Sequence, residues 1–186
     1  MLTSAEITKF TESGKIVWPG DLRGDGLLLR LGAPAQLLVP AAVAGTVDLA
    51  DQASIDRLYQ PHREDWDSLA MAPGQMMLCQ VQGSLQLSAG LAGAIGTLSH
   101  LARVGLATHV ASPWVLPGWK GELTLELLNV GPATLSLHRG MPVARLLIFK
   151  MDGPVGPAVP HAFYGTRDQH LGSRYAAEFP IHEYKR

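Results

Sequence analysis

The stretch KGELTLELLN, residues 120–129, alternates apolar and polar side chains and therefore predicts a β-strand. One face of this strand carries three leucines, Leu123, Leu125 and Leu127. The other face is half polar and carries Glu122, Thr124, Glu126 and Leu128. Charged residues usually stay in water, which favours a solvated carboxylate at Glu126. A position inside a pocket would instead make Glu126 a candidate general base.

Similar short apolar runs with Gly or Pro at their borders recur from residue 73 to Met151. They include PGQMMLCQVQGSLQL, GLATHVASPWVLPGW, ATLSLHRG and PVARLLIFKM. This punctuation favours an all-β barrel or sandwich with few helices. The segment AGAIGTLSHLARVGL is the exception, because Leu98, Leu101 and Ala102 have helical spacing.

The N-terminal part of the chain predicts a short helix and two short strands. The helix covers residues 4–13, with Ser4 as its N-cap and Gly14 as its stop. The strands are GDGLLLRLG, which ends at Gly32, and AQLLVP. Residues 47–66 are polar without a clear period, and we expect a long excursion with a helical turn there.

Length and charge limit the classes of protein to consider. The 186 residues are 47% hydrophobic, which fits one domain spanning residues 1–186. The formal net charge of −1 gives no broad basic field, so we expect no nucleic-acid partner. Cys79 is the single cysteine, which excludes an internal disulfide and favours a reducing compartment.

The two ends of the sequence predict the cellular location of the protein and the placement of its C-terminal segment. The first residues lack the pattern of a signal peptide and no apolar run reaches membrane-spanning length, so we expect a cytoplasmic protein with no membrane partner. Residues 152–186 are rich in Gly and Pro and cannot build a core alone. We expect this segment to be disordered or to lie over the body or a neighbouring subunit.

Several well-known site motifs are missing. His62–Glu64 imitates the His-x-Glu half of a zinc deaminase site, but Cys79 alone cannot form the Pro-Cys-x-x-Cys half. The sequence also lacks a dinucleotide fingerprint, a P-loop and a nucleophile elbow. We therefore expect no metal or cofactor held by protein side chains.

Residues 73–149 resemble the central part of the dCTP deaminase branch of the dUTPase-like superfamily. EITKFTESGKI and LLLRLG are similar to the N-terminus of that family. The resemblance implies a distorted dUTPase-like β-barrel that assembles as a homotrimer. It also implies active sites between subunits and a C-terminal segment that closes over a nucleotide.

The resemblance assigns catalytic roles to three residues. The family segment Arg-Ser-Ser-Leu-Ala-Arg lies over Leu98–Arg103 and keeps Ser99 and Arg103, and the glutamate general base falls on Glu126. In the family reaction the glutamate activates water, hydroxide attacks C4 of cytosine, and ammonia leaves. A base of this kind works best with a pKa near the working pH. Mg²⁺ would enter only through the substrate phosphates.

The same alignment assigns substrate contacts, although several positions depart from the family pattern. The implied contacts are His100, Ser112, Trp114, Thr124, Tyr164 and Arg174. Leu98 and His100 replace an Arg and a Ser that touch the triphosphate, and Glu178 replaces a Gln. Leu116 replaces an Asp that holds the sugar hydroxyl. These departures predict poor discrimination between tri- and monophosphates, or a preference for fewer phosphates.

Other interpretations of these residues remain open. Ser99 could cap a helix, Arg103 could pair with a surface carboxylate, and Trp114 and Trp119 could be core aromatics. The first functional alternative is a nucleotide-binding paralogue with weak or no turnover, which the departures favour. The second is a dUTP diphosphatase, which Leu116 and the missing Gly-rich C-terminal motif disfavour. The main hypothesis is deamination of dCTP to dUTP and ammonia.

Overall fold

The computed structural model describes residues 1–153 and 171–180. The helices are α1 (Ser4–Glu12), α2 (Ala41–Ala44), α3 (Gln52–Asp56), α4 (Ser99–Ala102) and α5 (Tyr175–Glu178). The strands are β1 (Ile16–Val17), β2 (Leu27–Leu37), β3 (Ser68–Met71), β4 (Met76–Leu87), β5 (Leu91–Thr97), β6 (Leu106–Thr108), β7 (Trp114–Val115), β8 (Lys120–Asn129), β9 (Leu135–His138) and β10 (Pro142–Lys150). The predicted mostly β fold with short helices is confirmed.

The main sheet runs in the order β6-β8-β4-β2-β10-β5-β7, with β1 paired to β4, and β3 and β9 form a separate pair. Its two edge strands, β6 and β7, are joined by residues 109–113, which can span only about 20 Å. The sheet must therefore curl back on itself. Thr97 bridges the remaining gap, because its hydroxyl donates to Thr108 O at 3.1 Å and accepts from Thr108 N at 2.8 Å.

The core lies inside this curled sheet. Leu123, Leu125 and Leu127 are at most 4% exposed and belong to the main apolar cluster, as the alternation along β8 predicts. On the opposite face, Glu122, Thr124, Glu126 and Leu128 are half-buried. The sequence pattern therefore identified both faces of β8.

Two predicted strand boundaries are wrong. The two short strands expected on either side of Gly32 form one strand, β2. Pairing with β4 continues across the break, from Leu31–Val81 to Ala35–Cys79, with a register shift between them. Glycine is required at position 32 inside this strand, because a Cβ there would come within 2.9 Å of Gln80 O and Gln82 N. The short runs expected after Pro73 likewise merge into β4.

Two helix predictions also need correction. The first part of the segment 92–106 is extended, since β5 pairs with β10 along Leu91–Thr97, and only Ser99–Ala102 is helical. The N-cap of α1 is Thr3 and not Ser4. Thr3 Oγ1 accepts from Glu6 N at 3.3 Å and the Glu6 carboxylate accepts from Thr3 N at 2.8 Å, which forms a capping box.

The excursion before residue 67 contains the predicted helical turn and also supports part of the tail. Tyr59 OH accepts from Ser173 N at 2.9 Å, and Gln52 Nε2 donates to Ser173 O at 2.7 Å. Residues 171–180 therefore lie over the body of their own chain. Within residues 1–153 and 171–180, no helix has the length and apolar character to cross a membrane.

Candidate active site

Glu126 lies on β8 between β4 and β6. Its cross-strand neighbour on β4 is Leu78, and its backbone carbonyl accepts from His109 N at 2.8 Å, just beyond the end of β6. The carboxylate is half-buried and its Oε2 accepts from Ala111 N at 3.4 Å. Peptide groups of residues 109–111 thus face Glu126, and the carboxylate is neither fully solvated nor sealed in the core.

The loop beside Glu126 contains a histidine that no sequence motif singles out. His109 has φ of 68°, and no other non-glycine residue in the described ranges has a positive φ. Its Nε2 is hydrogen-bonded to Ser112 O, whereas Nδ1 is buried without a partner. A side chain in a strained backbone with an unsatisfied buried atom is a candidate site residue. No sequence pattern signals a positive φ at a histidine.

Ser99, His100 and Arg103 sit on or directly after α4, the single helical turn between β5 and β6. Leu98 is the N-cap and is tied to β10 by a hydrogen bond from its N–H to Val143 O at 3.1 Å. Ser99 and His100 are exposed, and Arg103 is exposed at the C-cap. The helical turn is therefore anchored to β10 by its backbone, and its polar side chains are exposed.

Ser99 and His100 line a cleft of about 340 Å³. The other lining residues are Arg23, Gly96, Thr97, Leu98, Arg145 and Leu147. The two arginines come from the loop before β2 and from the middle of β10, far apart in sequence. No sequence pattern links the two arginines to this cleft, since only the pairing of β10 with β5 places Arg145 beside Gly96.

The cleft and Glu126 are neighbours in the fold but are not one pocket within this chain. Strand β6 lies between them: it follows α4 in sequence and pairs with β8, with Thr108 opposite Leu127. Glu126 is not among the described residues that line the cleft. The structure therefore brings Ser99 and His100 together with two arginines, and it brings Glu126 together with the 109–112 loop.

The remaining predicted substrate contacts are dispersed. Trp114 is 65% exposed on the edge strand β7, and Ser112 is exposed in the loop beside Glu126. Thr124 is half-buried two residues before Glu126 on the same strand face. Arg174 is the N-cap of α5, and its Nε is buried without a partner. Tyr164 lies outside the described residues.

The structure bears on the alternative interpretations of these residues as core aromatics, a helix cap and an ion-pair partner. Trp114 is not a core aromatic, whereas Trp119 packs against the core and its Nε1 donates to Gly121 O at 3.1 Å. Ser99 follows the N-cap of α4 and does not occupy it. Among residues 1–153 and 171–180, the ion pairs are Arg30–Asp21 and His62–Glu64, so Arg103 has no carboxylate partner there.

The described residues contain no group of three or more His, Cys, Asp or Glu side chains placed to hold a metal ion. Cys79, on β4 beside the Glu126 strand, is fully buried. Burial raises the pKa of this thiol to about 12. The thiol is therefore protonated at ordinary pH and is not a nucleophile.

Comparison with known proteins points to one family. A family model described as dCTP deaminase-like matches residues 1–151. A protein of Methanoculleus marisnigri named "dCTP deaminase, dUMP-forming" is 28% identical over 159 residues, which cover 84% of this chain and 83% of that protein. A protein of Shewanella sp. (strain ANA-3) named "dCTP deaminase" is 31% identical over 166 residues, 83% of this chain and 86% of that protein.

A solved structure shares the fold. The crystal structure of 2′-deoxycytidine 5′-triphosphate deaminase from Agrobacterium tumefaciens matches with a TM-score of 0.58 and 19% sequence identity. The match covers 79% of this chain but only 45% of the Agrobacterium chain. Some sequence relatives are also matched only in part, as in Corynebacterium glutamicum (strain R), where the alignment covers 57% of the relative. The likeness to the solved structure supports the predicted distorted barrel.

Proposed function

Because this chain belongs to the dCTP deaminase-like family, we propose that it deaminates a cytosine deoxynucleotide by hydrolysis, converting dCTP to dUTP and ammonia. The observation that carries the proposal is the half-buried Glu126 carboxylate, which accepts a hydrogen bond from the peptide N–H of Ala111 on the half-polar face of β8. Such a carboxylate can accept a proton while its position stays fixed. Ser99 and Arg103, which the resemblance assigns to the same site, support the proposal.

In the proposed reaction Glu126 removes one proton from a water molecule. The resulting hydroxide attacks C4 of the cytosine ring and forms a tetrahedral adduct. Glu126 returns this proton to N3 of the adduct and then transfers the proton of the C4 hydroxyl to the exocyclic amine. The C4–N bond breaks, and ammonia leaves as the C4 carbonyl of uracil forms. Ser99 and Arg103 orient the ring and the water, and no metal held by the protein takes part. Mg²⁺ would accompany only the substrate phosphates.

We further propose that the site is completed between subunits of a homotrimer. Glu126 and the Ser99 cleft lie on opposite sides of β6 within one chain. A cyclic assembly would place the Glu126 side of one subunit against the α4 side of the next. In this arrangement the nucleotide is the small-molecule partner and the other partners are copies of the same chain.

The fate of the phosphates is a separate question, because relatives of both kinds occur. The Methanoculleus protein is named as dUMP-forming, whereas the name of the Shewanella protein specifies only dCTP deamination. Formation of dUMP would consume a second water and release pyrophosphate in addition to ammonia. We favour dUTP as the product, since Leu116 stands where the dUTP diphosphatase branch, by resemblance, has the Asp that positions the water for pyrophosphate release.

The test is incubation of the purified protein with dCTP and Mg²⁺, with ammonia, dUTP, dUMP and pyrophosphate measured in the same samples. We expect ammonia and dUTP in equal amounts. Pretreatment with a zinc chelator, followed by dialysis into Mg²⁺ buffer, should not reduce the rate. Activity that only zinc restores would contradict the metal-free mechanism, and pyrophosphate in amounts equal to ammonia would establish the dUMP-forming reaction.

A binding protein without turnover is the second candidate function. Three substitutions favour it. According to the resemblance, Leu98 replaces an Arg, Leu116 replaces an Asp and Glu178 replaces a Gln, and each of the replaced residues contacts the nucleotide. This candidate predicts a thermal shift with pyrimidine nucleotides but no ammonia. A ligand that binds only the native state raises its apparent stability, so the shift and the ammonia assay separate the two functions.

A further inference from the structure

The cleft beside α4 carries positive charge that the sequence alignment does not explain. Arg23 and Arg145 both line it, together with Ser99 and His100, and no carboxylate is among its described lining residues. Two guanidinium groups facing one cleft repel each other unless an anion or solvent lies between them. The lining is therefore suited to a ligand with several negative charges.

Neighbouring carboxylates are already engaged elsewhere. Asp21 pairs with Arg30 at 2.8 Å, and Asp25 Oδ1 accepts from Ser4 N at 2.7 Å, at the start of α1. Within residues 1–153 and 171–180, neither Arg23 nor Arg145 forms an ion pair, and Arg145 Nε is buried without a hydrogen-bond partner. A buried guanidinium nitrogen in this state is costly unless a ligand accepts from it.

The backbone around Arg145 holds its side chain in place. A Cβ on Gly26 would lie 2.5 Å from Arg145 Cγ, so the aliphatic stem packs directly against the Gly26 backbone. Gly26 O also accepts from Arg23 N at 3.0 Å, which ties both arginines to one turn. On the other side, Gly96 lies opposite Arg145 and has open space where a Cβ would be. The guanidinium group is thus positioned while the cleft remains open.

We propose that Arg23 and Arg145 bind the polyphosphate of the nucleotide in this cleft and supply the charge missing at Leu98. This inference rests on the proposed function for the identity of the ligand, but its physical basis is the pair of unpaired arginines. Guanidinium groups bind phosphate oxygens through paired N–H donors. The expected consequence is a preference for triphosphates over monophosphates, opposite to the expectation from the alignment alone.

Calorimetric titration of the intact protein with inorganic tripolyphosphate, dCTP and dCMP tests the proposal. Arg145→Gln and Arg23→Gln should each weaken tripolyphosphate binding about ten- to a hundredfold, the range for a lost hydrogen bond to a charged group. Arg145→Lys should recover part of the loss. Arg63→Gln is the matched control, since Arg63 is exposed and does not line the cleft. Circular dichroism and light scattering establish that each variant is folded and assembled like the parent.

The outcomes separate this proposal from the proposed function. Tripolyphosphate binding that depends on both arginines supports the proposal even if the parent protein releases no ammonia, which would contradict only the deaminase function. Ammonia release from dCTP, with affinities for tripolyphosphate and dCTP that are unchanged in both arginine variants, would overturn the proposal and leave deamination intact. Absence of tripolyphosphate binding in the parent protein would also overturn it.

Discussion

The Glu126 region and the α4 cleft lie on either side of β6 but have opposite chemistry. The first offers one half-buried carboxylate with the N–H of Ala111 directed at it. The second offers two arginines, a serine and a histidine, with no carboxylate among the described lining residues. A carboxylate suits the removal of a proton from water, whereas an arginine-lined cleft suits binding of an anion. A nucleotide has a base, where proton removal from water is needed, at one end and anionic phosphates at the other.

The two regions also differ in how the chain builds them. Glu126 and residues 109–112 are brought together by adjacent strands, β6 and β8, so their geometry follows from local pairing. The α4 cleft combines residues from before β2, from β5 and α4, and from β10. A site assembled from such distant segments is sensitive to changes anywhere in its supporting strands. Glu126 and residues 109–112 do not line the α4 cleft, however, so side-chain variants in one region should leave the other region unchanged.

The largest expected effect is on the carboxylate side. Glu126→Gln keeps the shape and the contact with Ala111 but removes the base, so ammonia release should fall about 10²- to 10⁴-fold. Tripolyphosphate affinity should not change, because Glu126 does not line the arginine cleft. Near-parental turnover in an assembled variant would return Glu126 to the role of a solvated surface carboxylate.

Mixed trimers test whether the two regions meet between subunits. Glu126→Gln and Ser99→Ala should each be nearly inactive alone. After unfolding and refolding together in equal amounts, about a quarter of the sites in a cyclic trimer should combine an intact Ser99 with an intact Glu126. Ammonia release should recover to that fraction of the parental rate. Recovery no greater than in separately refolded samples would place both residues in the same subunit.

Cys79 tests the stability of β4, the strand that pairs with the Glu126 strand β8. Because burial raises its pKa from 9.0 to about 12, the folded state favours the protonated thiol. This contribution is fully present below pH 9 and is lost as the pH rises towards 12. Urea titrations should show the free energy of unfolding falling over this range. Cys79→Ala should be less stable at pH 7 but should show a shallower alkaline decline.

The same thiol should be slow to react with an alkylating reagent in the native protein and fast to react in urea. Rapid native alkylation at pH 8 would mean that β4 opens readily beside Glu126. The arginine cleft would not be affected by that opening in the same way, because its lining strands are β5 and β10.

The smallest effect is expected at the start of α1, which supports the loop carrying Arg23. Thr3→Ala removes the side-chain half of the capping box and should lower the free energy of unfolding by about 1 kcal/mol. Thr3→Ser keeps the hydroxyl and is the matched control. Turnover by assembled Thr3→Ala should be close to parental; a large loss would show that α1 positions the cleft more directly than its contacts indicate.

Sequence alone determined the character of β8. The alternation from Lys120 to Asn129 predicts a buried leucine face and a half-polar face, and the structure has both. Period-two alternation is a local property that does not depend on the rest of the chain. The resemblance assigns Ser99, Arg103 and Glu126 to a common reaction, and this assignment stays a prediction.

Tertiary structure alone decided which strands are continuous and which residues meet. Gly32 looked like the end of a strand, but pairing of β2 with β4 carries the strand through it. The segment 92–106 has helical spacing only around α4, and pairing with β10 makes the first half extended. Local preference is overridden in both cases, because ladder hydrogen bonds and burial in the sheet are stronger than intrinsic propensity.

The same reason explains why the arginine cleft and the strained His109 could not be read from the sequence. Arg23 and Arg145 are separated by most of the chain, and they meet because β2 and β10 are paired. His109 has its positive φ in the five-residue connection between the two edge strands of the curled sheet. The position of both features in the site depends on strand pairing across the whole chain and not on any single segment.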